Sequence, residues 1–172
     1  MEITIINEEL FRENSPIKED TILSKFAPYV GIAQKMYIER ILGKPLMDEL
    51  KAQVAAAVSG TGEVSPANKA LIRKVAPALS FYAVYQGIPF HWAAIVNKGV
   101  TVRDSENSRA VDIKDIAQLR RWIKDDAEEL ARDLTDYLAE CRESYPLWRP
   151  LEWCGSAEST PDTGVYIPKK RG

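Results

Sequence analysis

Apolar residues recur along most of this chain at spacings of three and four, the period of an α-helix. Phe26, Tyr29, Val30, Ala33, Met36, Tyr37 and Ile41 form the first such stripe. Pro28 sits in its first turn, where a missing N–H costs nothing, and Gly43 is placed to stop it. Leu46, Leu50, Val54 and Val58 form a second stripe, opened by Pro45 and broken by Ser59-Gly60-Thr61-Gly62. Ser65-Pro66 reads as the N-cap and first residue of a third helix carrying Leu71, Ile72, Val75, Leu79, Tyr82 and Tyr85. Pro77 is expected to kink this helix, and Gly87 and Pro89 to end it. The longest pattern runs from an Asp112 cap to about Tyr145, with Ile116, Leu119, Ile123, Ala127, Leu130, Leu134, Leu138 and Cys141 on one face.

Two segments break from this period. The β-branched cluster in Glu2–Ile6 predicts a short strand, followed by a polar, mixed segment to about Ser24. Ile95–Arg103 predicts two short strands around Asn97-Lys98-Gly99. Pro146 ends the last helix, and Pro150, Gly155, Pro161, Gly164 and Pro168 keep the remainder from forming another. The fold class expected is mainly α: a four-helix bundle-like domain with a small β-hairpin and an extended C-terminal tail. The domain spans 1–146 and the tail, an extended arm, 147–172. Short connections between the first three helices favour adjacent packing, with Leu79, Leu130 and Leu134 in the core.

Charge narrows the partners. With 23 basic and 25 acidic side chains the net charge is −2, no reason to expect nucleic acid or an anionic membrane. From Lys51 to Lys98 the sole acidic residue is Glu63, whereas Asp and Glu crowd Asp104 to Glu143. Such asymmetry suits head-to-tail packing of copies, although solvated faces produce it too. No apolar run approaches the roughly 20 residues that span a bilayer. Met1–Asn7 does not read as an export signal, and Cys141 and Cys154 do not make a disulfide framework, so a reducing cytoplasm, or a particle assembled there, is expected.

Candidate chemistry is sparse. His91 is the sole histidine and lies in Ile88-Pro-Phe-His-Trp92, where a polar residue at a turn is the simpler reading. A nucleophilic dyad with Cys154 would need a base, and a metal site would need more than one imidazole or thiolate. Cys141 falls on an apolar stripe and reads as a small buried hydrophobe. Asp125-Asp126 and Glu128-Glu129 lie on the polar side of the last helix, and no phosphate-cradling glycine loop appears. No catalytic, cofactor-binding or metal-binding residue is assigned, and no cofactor is expected. Two other readings stay open: a small-molecule pocket among Tyr82, Tyr85, Phe90 and Trp92, and an enzyme using Cys154 and His91.

The tail has the most unusual composition. Tyr145-Pro-Leu-Trp-Arg-Pro-Leu-Glu-Trp153 holds three aromatics and two prolines in nine residues. Aromatics and Arg supply large contact area at interface centres, so Tyr145, Trp148, Arg149 and Trp153 are the candidate interface. The alternative is that Trp148 and Trp153 fold back on their own domain. Lys169-Lys170-Arg171 is too short to indicate DNA binding and reads by default as a frayed terminus.

The run Phe26-Ala-Pro-Tyr-Val-Gly-Ile-Ala-Gln-Lys-Met-Tyr-Ile-Glu-Arg-Ile-Leu-Gly-Lys-Pro-Leu-Met-Asp-Glu-Leu50 resembles the start of a family of small helical proteins of tailed phages and prophages related to head–tail connector (adaptor) proteins. Ser65–Leu71 running to Tyr82-Ala83, Asn97–Val102 and the long helix ending Leu138 to Pro146 resemble it in the same order, so the likeness covers roughly Asp20 to Pro146. These motifs are helix starts, stops and stripes, and the tail beyond Pro146 is longer than the family pattern. The resemblance implies a non-enzymatic subunit that forms a homo-oligomeric ring and contacts portal and tail proteins. It implies a location in the bacterial host cytoplasm during assembly, and in the virion afterwards.

Overall fold

A computed structural model of the chain describes residues 3–17, 25–96, 99–102 and 113–150, and the side chains of 91–102 and 113 lie outside that description. The fold is mainly helical. After α1 (Glu8–Glu13), α2 (Ala27–Ala33) passes through a π-helical turn (Gln34–Ile38) into α3 (Glu39–Leu42). Then come α4 (Lys44–Val58), α5 (Pro66–Trp92) and α6 (Ile113–Glu140), closed by a 3₁₀ turn (Arg142–Ser144). Between α5 and α6 the backbone of β1 (Ala93–Val96) runs antiparallel to β2 (Gly99–Val102), with Ala93 opposite Val102.

α5 is the central element and packs against α6, α2, the π turn and α1. Its Leu71, Val75, Leu79 and Ala83 are fully buried, and Ala78 and Val84 bury further sides of the same helix. This all-round apolarity is what a helix surrounded by others requires. Leu46, Met47 and Leu50 of α4, and Ala127, Leu134 and Leu138 of α6, complete the core.

The predicted boundaries hold where local chemistry sets them. Ser65 Oγ accepts from Asn68 N at 3.3 Å, the expected N-cap of α5. Gly43 has φ +76° and separates α3 from α4. A Cβ at Gly43 would overlap the Arg149 carbonyl, so the position needs glycine both for its dihedral and for space.

Three expectations are corrected. The short strand predicted in Glu2–Ile6 does not form among the described residues. Instead Gln34, fully buried in the π turn, mimics a neighbouring strand: its Oε1 accepts from Ile5 N (2.8 Å) and its Nε2 donates to Ile3 O (2.9 Å). The polar segment before Ser24 contains α1, whose start is signalled by Asn7, which caps Leu10 N at 2.9 Å, and by Glu8 and Glu9 in the first turn.

The third correction concerns Gly87 and Pro89, which do not end α5; the helix continues to Trp92. Gly87 is present because Phe26 lies against it: a Cβ there would stand 2.7 Å from the Phe26 ring. Pro89 has no N–H to give the carbonyl four residues back, that of Tyr85. Arg120 of α6 replaces that donor, its Nε lying 3.2 Å from Tyr85 O while its guanidinium sits 4.1 Å over the Tyr85 ring. The break that proline would make is thereby repaired from the next helix.

Trp148, two residues past the expected division at Pro146, belongs to the same core. Residues 151–172, the rest of the expected arm, lie outside the described residues.

Gly43 and Gly60 provide a matched test. Both have positive φ, +76° and +71°, but nothing lies within 4 Å of a Cβ at Gly60. Gly60→Ala should cost about 1–2 kcal/mol of backbone strain. Gly43→Ala should cost about 3–5 kcal/mol, since overpacking against a backbone carbonyl adds to that strain. Denaturant melts of the two variants measure the difference, and equal midpoints would show that Arg149 does not lie against Gly43.

Candidate functional site

The candidate interface residues can be placed in turn. Tyr145 follows the 3₁₀ turn and is buried. Its hydroxyl donates to Ala67 O at 3.0 Å and meets the Tyr137 hydroxyl at 3.0 Å, and burial, then the Tyr137 hydrogen bond, pushes its pKa well above the usual tyrosine range. Trp148 is 9 % exposed. Its indole Nε1 donates to Ile41 O at 2.8 Å, and the Arg142 guanidinium lies 5.9 Å from its ring. Arg149 is exposed, but its backbone N–H reaches Leu42 O at 3.4 Å and its guanidinium donates to the carbonyls of Pro146 (3.1 Å) and Trp148 (2.9 Å).

Ile41 and Leu42 end α3, so their carbonyls lack helical donors, and the chain after Pro146 supplies them. Trp148 and Arg149 thus meet the α3–α4 break of their own domain, and Tyr145 meets the first turn of α5. Tyr145 and Trp148 both pack into the core of their own chain. Trp153 lies outside the described residues.

The other candidates do not converge. Tyr82 stacks on Tyr37 (centroids 4.1 Å apart, planes 2° apart), Tyr85 lies under Arg120, and Phe90 stacks on Tyr29 at 5.7 Å. Burial, with a smaller effect from the Glu128 carboxylate, pushes the Tyr82 pKa up to about 12. Each of the three has a different ring neighbour, and the Trp92 side chain lies outside the described residues. So do the His91 side chain and Cys154. Cys141 is a free, half-buried thiol. Asp125, Asp126, Glu128 and Glu129 are exposed, with Lys124 paired to Glu128 at 2.9 Å and Arg132 to Glu129 at 2.7 Å. Among the described residues no group of three His, Cys, Asp or Glu is placed to hold a metal ion.

What sequence reasoning missed is an open surface. The apolar stripe of α6 is buried at Ile123, Ala127, Leu134 and Leu138, but Leu130 is only half-buried and Leu119 is 43 % exposed. Trp122, one residue before the core position Ile123, is 59 % exposed. Leu119 and Trp122 line a groove of about 610 Å³ together with Phe26, Phe81, Val84 and Ile88. A second groove of about 310 Å³ holds the exposed Met36 beside Tyr37, Arg40, Tyr82 and Glu128. Trp122 itself was the available signal, a large aromatic on the polar side of a strongly amphipathic helix.

This chain belongs to the DUF6712 family, a family of unknown function, whose model matches residues 38–157. No curated protein and no solved structure matches it. The matched span runs from the π turn through α6 and past Trp148, the set of elements that closes on the α3–α4 break.

Two truncations separate the anchored turn from the rest of the tail. Removing 151–172 leaves Trp148 in place and should cost no more than about 1–2 kcal/mol. Removing 147–172 takes Trp148 as well and should cost about 3–5 kcal/mol, the usual loss for a buried tryptophan. Thermal melts of both decide the matter, and two truncations melting together would mean that Trp148 contributes nothing to the domain.

Proposed function

We propose that this protein is a structural subunit of a phage or prophage particle, a head–tail connector whose copies form a homo-oligomeric ring between portal and tail proteins. The observation that carries the reading is the sequence resemblance, which spans roughly Asp20 to Pro146 in four segments in order. The four-helix, bundle-like arrangement with a small β-hairpin after α5 is part of the proposal, as is a non-enzymatic role.

Two features support it. Ile32, Met36, Leu119 and Trp122 are large apolar side chains left exposed on helical faces, the kind of surface that packs against other proteins. Among the described residues no helix is long and apolar enough to cross a membrane, which suits assembly in the host cytoplasm and residence in the virion. Because Tyr145 and Trp148 are engaged within the chain, ring contacts are assigned to the exposed Ile32 and Met36.

The test is binding to a portal ring, which this reading expects to be encoded beside the protein. Purified subunit mixed with that portal should add a ring of density at one end by negative-stain electron microscopy. Substituting Ile32→Glu and Met36→Glu should abolish that density while leaving the melting temperature nearly unchanged. A folded subunit that neither self-associates nor binds portal, or a gene lying away from portal and tail genes, would overturn the reading.

A further inference from the structure

A groove of about 610 Å³ is lined by Phe81, Val84 and Ile88 of α5 and by Leu119, Trp122 and Ile123 of α6, with Pro16, Ile17 and Phe26 also bordering it. Asp126 stands at its edge. From there α6 turns strongly acidic: between Asp125 and Glu140 the sequence has seven carboxylates against the single cation Arg132. Asp125, Asp126, Glu129, Asp133, Asp136 and Glu140 are all exposed. Neither a second α6 nor another acidic face fits here, since like charges would meet. The surface calls for a short segment with bulky apolar side chains followed closely by cations.

The chain contains such a segment. Val165-Tyr166-Ile167-Pro168 is followed by Lys169-Lys170-Arg171, and 163–172 has no acidic residue. We propose that this groove is the docking site of the chain's own C-terminal segment, with Tyr166 and Ile167 against Leu119 and Trp122 and the three cations facing the carboxylates of α6.

Reach is sufficient. The tail leaves the core after Trp148, which is tied to Ile41 at the end of the molecule where α6 stops. Trp122 lies eighteen residues before Glu140, about 27 Å along the helix. The fourteen residues 151–164 extend to about 46 Å, enough to return to the groove with slack. Pro161 and Pro168 reduce the freedom lost when the segment docks. A tethered segment meets its own groove at an effective concentration of order millimolar, above that of any free copy at ordinary protein concentration. Docking within one chain is therefore favoured over exchange between chains. The groove, the charge pattern and the length of the tail carry this docking independently of the connector reading.

Carbodiimide coupling, which joins an amine directly to a carboxylate, tests it on the full-length protein. Equal amounts of ordinary and ¹⁵N-labelled chain are mixed, cross-linked and mapped by mass spectrometry. Lys169 or Lys170 should join to Asp125, Asp126 or Glu129, within a single isotope, at a yield independent of protein concentration. Tyr166→Ser and Trp122→Ser, both of which leave the described core intact, should each lower that yield roughly fivefold or more. High salt should lower it as well, because the cations face exposed carboxylates. Absence of these cross-links, or cross-links joining different isotopes, would overturn the proposal. So would yields that ignore both substitutions, which would mean that charge alone holds the tail and the groove does not.

Discussion

The indole N–H of Trp148 bonded to the carbonyl of Ile41 is the contact on which the arrangement of this domain depends. α3 ends at Leu42, and α4 starts two residues on after a glycine turn. Carbonyls at such an end need donors, and a chain that has finished α6 delivers them through Trp148 Nε1 and Arg149 N. Tyr145, from the same turn, bonds Ala67 O in the first turn of α5. One short segment thus holds the end of α3 and the start of α5 to the end of α6. The tight approach of Arg149 to Gly43 shows how closely these parts fit.

The same principle, a backbone group freed in one helix and satisfied from another, recurs on the far side of the domain. Pro89 leaves Tyr85 O without a helical partner, and Arg120 fills the vacancy. At the N-terminus Gln34 serves the backbone of Ile3 and Ile5 in place of a sheet neighbour. These polar contacts are few but directional. They fix the register of helices whose apolar surfaces alone would tolerate sliding.

Much of the helical fold was legible in the sequence. The stripes of α4, α5 and α6, the Ser65 cap and the Gly43 stop are local signals, and local chemistry decides them. What escaped reading was set by partners distant in sequence. Gly87 is a packing residue because of Phe26, and Pro89 is tolerated because of Arg120; neither neighbour can be inferred from the run around residue 88. Leu119 belongs to the stripe by periodicity yet stands exposed, because nothing described covers that end of α6. Tyr145 and Trp148 illustrate the converse. An aromatic run among prolines has the composition of an interface, and the composition is the same whether the interface is with a partner or with the chain's own core. The exposed apolar residues on α2, the π turn and α6 are a further case, since the helical period alone does not distinguish them from core.

The most direct measurement of the central contact is hydrogen exchange at the Trp148 indole nitrogen, followed by NMR. If Trp148 closes the domain, its N–H should exchange only through global unfolding, with the same opening free energy as the slowest amides of α5. Exchange of that indole at the rate of a solvent-exposed tryptophan, while the α5 amides remain protected, would show that the domain is closed without it.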